Sequence, residues 1–135
     1  MKRSVTQVTC LLGMKIGSFV IQKYIERSLL IYNRKFDIRC WVFVNYTGDF
    51  YFFKEGYLRT SSTAYDINDF SNIFMHLTNN AVQIHSKHYG EFEDGNQLSF
   101  DDFNQYISKI NPNADFYSVI LPQIKLLAKK AVYSV

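Results

Sequence analysis

Apolar and polar positions alternate most regularly over RKFDIRCWVFV, Arg34 to Val44. A period of two puts Phe36, Ile38, Cys40, Val42 and Val44 on one face and Lys35, Asp37 and Arg39 on the other. The pattern predicts a strand from Lys35 to Asn45. Upstream, SFVIQKYI from Ser18 to Ile25 is rich in β-branched and aromatic residues and predicts an earlier strand, and Glu26 to Asn33 predicts a loop with a short apolar piece, Leu29-Leu30-Ile31. Thr47-Gly48-Asp49 supplies turn chemistry, and Phe50 to Lys54 predicts the returning strand, with a continuation past Gly56 to Arg59. The middle of the chain therefore reads as an antiparallel hairpin.

The second half changes character. Thr60 to Asn72 is rich in Ser, Thr, Asp and Asn and predicts a connecting loop with room for one helical turn. Ile73 to Ile84 carries apolar residues at both strand and helix periods, so its backbone stays open, and Ser86 to Gln97 predicts a plain loop. Ser99 with Asp102 three residues on has the spacing of a helix N-cap and its partner, starting a helix to Ile110 whose stripe is Phe100, Phe103, Ile107 and Ile110. Asn111-Pro112-Asn113 ends it. A final helix runs from about Ala114 to the end, either kinked or divided by Pro122. No repeat, low-complexity tract or interdomain linker is visible, and the order of strands before helices predicts an α+β unit or a piece of a mixed domain.

Composition narrows this further. With 135 residues, 47% hydrophobic and 20% charged, the chain can build one sizeable core. An aromatic share of 17% favours a sheet-containing protein over a helical bundle. The net charge of +3 is small and evenly spread, which argues against a nucleic-acid partner and agrees with an acidic one. Two cysteines, Cys10 and Cys40, make no disulfide framework; Cys40 is expected to be a buried free thiol and the compartment a reducing one. The opening MKRSVTQVTCLLGMKIGSFV has too short an apolar run for a signal peptide, and no stretch approaches the roughly 20 apolar residues of a membrane span. The expectation is a soluble protein.

Several residues could carry chemistry. The Lys35, Asp37 and Arg39 row is either a solvated strand face or one wall of a polar site; an Arg fork and a mobile Lys suit phosphate or carboxylate. Lys23 interrupts an apolar row, Arg59 sits beyond the returning strand, and His76-Leu77-Thr78-Asn79 gathers an imidazole, a hydroxyl and an amide. HLTN alone identifies no reaction, and a loop-stabilising network is its ordinary reading. His85 and His88 have neither a cysteine nor a carboxylate pair beside them to complete a zinc set, and Asp94-Gly95-Asn96 fails the calcium-loop pattern. There is no glycine-rich phosphate loop, and Cys40 on a core-facing row is no nucleophile.

Four segments taken in order are more specific: VIQKYIE at Val20 to Glu26, RKFDIRCWV at Arg34 to Val42, EGYLR at Glu55 to Arg59, and HLTNN at His76 to Asn80. Together they resemble the tubulin–tyrosine ligase-like family, ATP-grasp enzymes that join amino acids to the acidic tails of tubulin. The match continues more loosely through Tyr89 to Phe100, whereas residues 1–17 and the final helix carry little of it. The resemblance implies that residues 18–135 form part of an ATP-grasp domain, an antiparallel sheet with a central hairpin followed by helices, behind a 1–17 segment without motif. It also implies ATP as cofactor, tubulin and a free amino acid (tyrosine, glutamate or glycine) as partners, and a cytoplasmic, cytoskeletal or ciliary location. Gln22, Lys23 and the backbone of Tyr24 and Ile25 would line the adenine pocket. Lys35, Asp37 and Arg39 would reach the nucleotide, with Arg39 and Arg59 toward the phosphates and His76, Thr78 and Asn79 along its border.

The chain also departs from the family. Members hold magnesium with an acidic residue upstream of a Glu-x-Asn pair, and no Glu-x-Asn occurs in this sequence. A glycine-rich lid is absent too, unless Gly13 to Gly17 is its remnant. The expectation is a ligase portion that is inactive alone, magnesium being held only in the complete enzyme. The alternative is a non-catalytic module that binds nucleotide or tubulin.

Overall fold

The computed structural model describes Val5–Thr6, Phe19–Val20 and residues 23–134. Strands β1 (Val5–Thr6) and β2 (Phe19–Val20) form an antiparallel pair, with Val5 opposite Val20 and Thr6 opposite Phe19. The strand expected over Ser18 to Ile25 does not reach its far end, because Lys23, Tyr24 and Ile25 have no regular structure. Gln22 and Cys10 lie outside the described residues.

The long strand expected from Lys35 to Asn45 is two strands, β3 (Arg34–Arg39) and β4 (Val42–Val44). Its start is set by a tight turn in which Tyr32 and Asn33 both take positive φ, 47° and 60°, and Ile31 and Arg34 exchange backbone hydrogen bonds of 2.9 and 2.8 Å. The returning segment is likewise divided into β5 (Phe50–Phe52) and β6 (Tyr57–Ala64). β4 pairs with β5, and β3 pairs with β6, both antiparallel. The division comes from surplus length on the return: Phe52 to Tyr57 is five steps, against three from Arg39 to Val42 on the outgoing chain. The extra residues are absorbed at Gly56, where an added Cβ would lie 2.4 Å from the Arg39 carbonyl oxygen and 2.5 Å from Phe100 Cζ. Only glycine permits that approach.

β6 extends to Ala64, which corrects the loop expected from Thr60. Thr60, Ser61 and Ser62 are 0–2% exposed, so their polar side chains are part of the interior. β7 (Gln97–Ser99) joins the far side of β6, giving the order β3-β6-β7, and corrects the expectation of loop up to Gln97. A 3₁₀ turn at Asp94–Asn96 leads into it. The ambiguous stretch is two single-turn helices, α1 (Ile73–His76) and α2 (Asn80–Gln83), capped by the side chains of Asn72 and Asn79.

Helix α3 (Phe100–Ile110) begins as the spacing predicts: Ser99 Oγ accepts from the Asp102 N–H at 3.0 Å and donates to Asp102 Oδ2 at 2.6 Å. Phe100, Phe103 and Ile107 are buried, while Ile110, expected on the same stripe, is exposed. A π-helical turn (Phe116–Ile120) precedes α4 (Leu121–Val132), whose first turn holds Pro122. Helical residues run without a break from Phe116 to Val132, so Pro122 does not divide the stretch; it sits in the first turn of α4, where π-type hydrogen bonding gives way to the α type.

The core lies between the sheet and the helices. Leu58, Phe100, Phe103, Ile107 and Phe116 are buried there with Ile31, and Phe36, Ile38 and Leu98 pack against them. Phe36 and Ile38 thus face inward, as the alternation predicts, but the inward row ends with β3. Cys40 is half-buried, not fully buried, and Val42 and Val44 are exposed, while on the paired strand Phe52, opposite Val42, still packs against the core. The result is an α+β arrangement of antiparallel sheets and helices in which β3 and β6 turn a polar row away from the core.

Candidate functional site

Asp37 and Arg59 are cross-strand partners on β3 and β6. Their side chains form a bidentate pair: Arg59 Nε donates to Asp37 Oδ1 at 2.9 Å and a terminal nitrogen to Oδ2 at 2.8 Å. Thr78, just after α1, adds its hydroxyl proton to Asp37 Oδ2 at 2.5 Å. The Asp37 hydrogen bond is the main cause of a guanidinium pKa raised above its ordinary value, opposed by partial desolvation, so Arg59 is a fixed cation. Arg39 closes the row at the end of β3, exposed and without an ion pair among the described residues.

At the other end of the row Lys35 Nζ donates to the Tyr24 hydroxyl at 2.5 Å and lies 4.2 Å from the Tyr24 ring centroid. Tyr24 also bonds His76 Nδ1 at 2.7 Å. Tyr65 stands on the other side, its ring centroid 5.4 Å from Lys35 Nζ. Its phenol is raised above the ordinary value, first by desolvation and then by the Tyr24 hydroxyl. Tyr24, Glu26, Phe70, Ile73, His76 and Leu77 surround a depression of about 390 Å³ beside this cluster.

Behind the row is a buried polar layer. Arg34, next to Lys35, is 2% exposed and forms a two-point ion pair with Glu93, one bond being 2.9 Å. Thr60, next to Arg59, donates to Glu93 Oε2 at 2.8 Å, and Arg34 also donates to the Ser61 carbonyl at 3.1 Å. Gln83 Oε1 accepts from the Ser62 N–H at 2.8 Å, while its amide donates to the Phe74 carbonyl at 3.0 Å and the Leu77 carbonyl at 2.5 Å. Asn96 donates to the Thr60 carbonyl at 3.0 Å and Ser62 Oγ at 2.8 Å. These bonds tie α1, α2 and the 3₁₀ turn to β6 and so fix where His76 and Thr78 stand relative to β3.

Of the residues singled out in the sequence, Tyr24, Lys35, Asp37, Arg59, His76 and Thr78 come together. Lys23 and Ile25 are exposed beside them, and the Asn79 side chain is spent on capping α2, accepting from the Ala81 N–H at 3.2 Å. Sequence reasoning missed Tyr65, Gln83 and Glu93, which lie in stretches read as loop or left open; none carries a local signal. Among the described residues no three His, Cys, Asp or Glu side chains gather as a metal site. Asp37, the carboxylate in the row, already accepts from Arg59 and Thr78, so the donor set does not fit magnesium. A second depression, about 450 Å³ on the β4–β5 hairpin, is lined by Trp41, Val42, Phe43, Tyr51, Phe52 and Phe53. It offers apolar surface and no charged group, so the polar row is the better candidate.

The site is thus one sheet face of an α+β fold, on which Lys35, Asp37, Arg39 and Arg59 stand in a row beside an apolar slot. Residues 3–134 match the model of the tubulin-tyrosine ligase family, and the chain belongs to that family. It is 40% identical over 125 residues to tubulin glycylase 3B of Tetrahymena thermophila, covering 89% of this chain and 10% of that one. It is 31% identical over 118 residues to the mouse tubulin monoglycylase TTLL3, covering 83% and 13%, and 32% over 124 residues to the mouse protein monoglycylase TTLL8, covering 87% and 15%. The chain thus spans 10–15% of the length of these relatives. No helix among the described residues is long and apolar enough to cross a membrane.

Proposed function

We propose that this chain supplies the nucleotide-facing part of an ATP-grasp ligase that joins glycine to the acidic C-terminal tail of tubulin, at the cytoskeleton or in a cilium. The convergence of Lys35, Asp37, Arg39, Arg59 and Thr78 on one sheet face carries the proposal, and the glycylases among its relatives favour glycine over tyrosine or glutamate. ATP fits this face. Lys23 and the backbone of Tyr24 and Ile25 would border the base beside the apolar slot that Tyr24 lines, Lys35 and Asp37 hold the nucleotide, and Arg39 and Arg59 face its phosphates, while Gln22 takes its place at the base from the family resemblance alone. Thr78 fixes Asp37, and Asn79 fixes the start of α2 along the border.

The reaction has two steps. A tail carboxylate oxygen attacks the γ-phosphorus and ADP leaves, giving an acyl phosphate. The glycine amine then attacks the acyl carbon, loses a proton and expels phosphate, forming the amide. Both steps gather negative charge on phosphoryl oxygens, which preorganised guanidinium groups stabilise. Arg59 reaches that charge only by sharing or leaving Asp37, so phosphate and carboxylate compete for one fork. No step is assigned to magnesium, which the described residues do not fit.

Calorimetric titration of the 135-residue chain with ATP tests the nucleotide reading. Binding is expected, weakened about tenfold or more by Arg39→Ala, in line with loss of a charge-assisted contact; an unchanged affinity in that variant, or no binding by the unaltered chain, refutes it. The sequence carries no Glu-x-Asn and the described residues form no carboxylate cluster, which leaves a second reading, a module that binds nucleotide or tubulin without chemistry. Incorporation of labelled glycine into tubulin would exclude this second reading. The chain alone is expected to show none, and magnesium-dependent turnover by it would establish the ligase reading in full.

A further inference from the structure

Tyr24 enters the site through its side chain as well as its backbone. Its hydroxyl stands between Lys35 Nζ, at 2.5 Å, and His76 Nδ1, at 2.7 Å, and the other ring nitrogen of His76 lies 2.6 Å from the Asp69 carbonyl oxygen. The direction of every proton in this series follows from its ends. A carbonyl oxygen only accepts, so His76 Nε2 carries a proton and donates it to Asp69. In the neutral ring Nδ1 is then an acceptor, and the Tyr24 O–H must point at it. The Tyr24 oxygen is left free to accept, and an ammonium can only donate. Donation therefore runs one way, from Lys35 to Tyr24 to His76 to Asp69.

The far end is anchored: Asp69 Oδ1 accepts from the Ser71 N–H at 3.0 Å and from its hydroxyl at 2.7 Å, an Asx turn that sets the carbonyl's direction. The imidazole is held by Phe70, stacked at 6.2 Å with an interplanar angle of 8°, and by the edge of Tyr65 at 5.8 Å. We propose that His76 and the Tyr24 hydroxyl are positioning residues that aim the Lys35 ammonium at its anionic ligand, and are not contacts to that ligand themselves. One of the three ammonium protons is committed to Tyr24, leaving two for phosphate oxygens. The assignment deepens the nucleotide reading and rests on it for the ligand's identity.

Two measurements without nucleotide test the relay. A long-range proton–nitrogen spectrum of His76 at about pH 8 is expected to show the Nε2–H tautomer. Competitive acetylation read by mass spectrometry is expected to find Lys35 slower than the 85% exposed Lys54, and Tyr24→Phe, which keeps the ring, is expected to raise the Lys35 rate and narrow the difference. A third measurement uses ATP. Tyr24→Phe and His76→Leu are expected to raise Kd roughly three- to tenfold, while His76→Gln, whose Oε1 can accept the Tyr24 proton, recovers most of that loss. In a Lys35→Ala background Tyr24→Phe is expected to change nothing further. An Nδ1–H tautomer, unaltered Lys35 reactivity, or the same loss in the Lys35→Ala background overturns the proposal, the last by showing that Tyr24 touches the ligand directly. Failure of the unaltered chain to bind ATP, with tautomer and acetylation as expected, removes the nucleotide reading and leaves the relay standing.

Discussion

Replacing Glu93 by Gln tests whether the buried layer holds the polar row in register. Arg34 is 2% exposed; its guanidinium makes two bonds to Glu93, one to the Ser61 carbonyl at 3.1 Å and one to Thr60 Oγ1 at 3.3 Å, and lies 4.3 Å from the Phe92 ring centroid. Gln keeps the volume of Glu but removes its charge, so Arg34 stays buried with one fewer strong acceptor and an amide N–H turned toward Arg34 or Thr60. Removing one partner of a buried ion pair costs about 3–5 kcal/mol. The retained carbonyl and the Ser61 carbonyl place this variant near the lower figure, about 3 kcal/mol. With a urea m-value of about 1–3 kcal/mol/M, the unfolding midpoint should fall by roughly 1–3 M. The pair Arg34→Met with Glu93→Leu should recover much of the loss, since it leaves no unpaired charge. A change below about 1 kcal/mol for Glu93→Gln would show that the pair is screened by water and refute the reasoning. Because Arg34 adjoins Lys35 and Thr60 adjoins Arg59, the same variant should also broaden the amide resonances of those two neighbours.

Two further perturbations address the scaffold. Gly56→Ala places a methyl group within 2.4 Å of a backbone oxygen and 2.5 Å of a buried ring, so the strand junction must move; a loss of about 1–3 kcal/mol is expected from such overpacking, read by thermal unfolding, and an unchanged midpoint would refute the close approach. The Asp115 carboxyl is held below its ordinary value chiefly by the Ser118 hydroxyl and then by the Ser118 N–H. A carboxyl depressed in the folded state stabilises fully above its unfolded value of about 3.9 and loses that contribution as pH falls through the folded one. Asp115→Asn should therefore narrow the drop in stability below about pH 4 without steepening it, as measured by denaturant midpoints over that range; an identical pH profile would refute the assignment.

Which parts of this arrangement could be read from the sequence follows from the range of the interactions. Phe36 and Ile38 inward with Lys35, Asp37 and Arg39 outward needs only the period of a strand, and the Ser99 cap needs only three residues of spacing; both are local, and both hold in the fold. Thr60-Ser61-Ser62 failed for the opposite reason. Three small polar residues in a row imitate a loop, and what makes them a buried strand is supplied by Arg34, Gln83, Glu93 and Asn96, each more than twenty residues away. The Asp37–Arg59 pair was hidden in the same way, since surplus residues around Gly56 shift the register and no count along the hairpin predicts which β6 residue faces Asp37.

The site and the buried layer are therefore one construction. Lys35 and Arg59 can hold charge on the open face because their sequence neighbours, Arg34 and Thr60, turn to the opposite face and are bound there to Glu93. Alternation couples the two faces: a strand cannot move its outward residue without moving the inward one. The consequence is testable through a residue that never meets solvent. If Gln83→Leu, which cuts the bond Gln83 accepts from β6 and those it donates to the carbonyls of Phe74 and Leu77, shifts the Thr78 and Asp37 resonances while leaving those of α3 unmoved, the buried amide sets the geometry of the open face; if α3 shifts equally, the effect is general loosening of the fold.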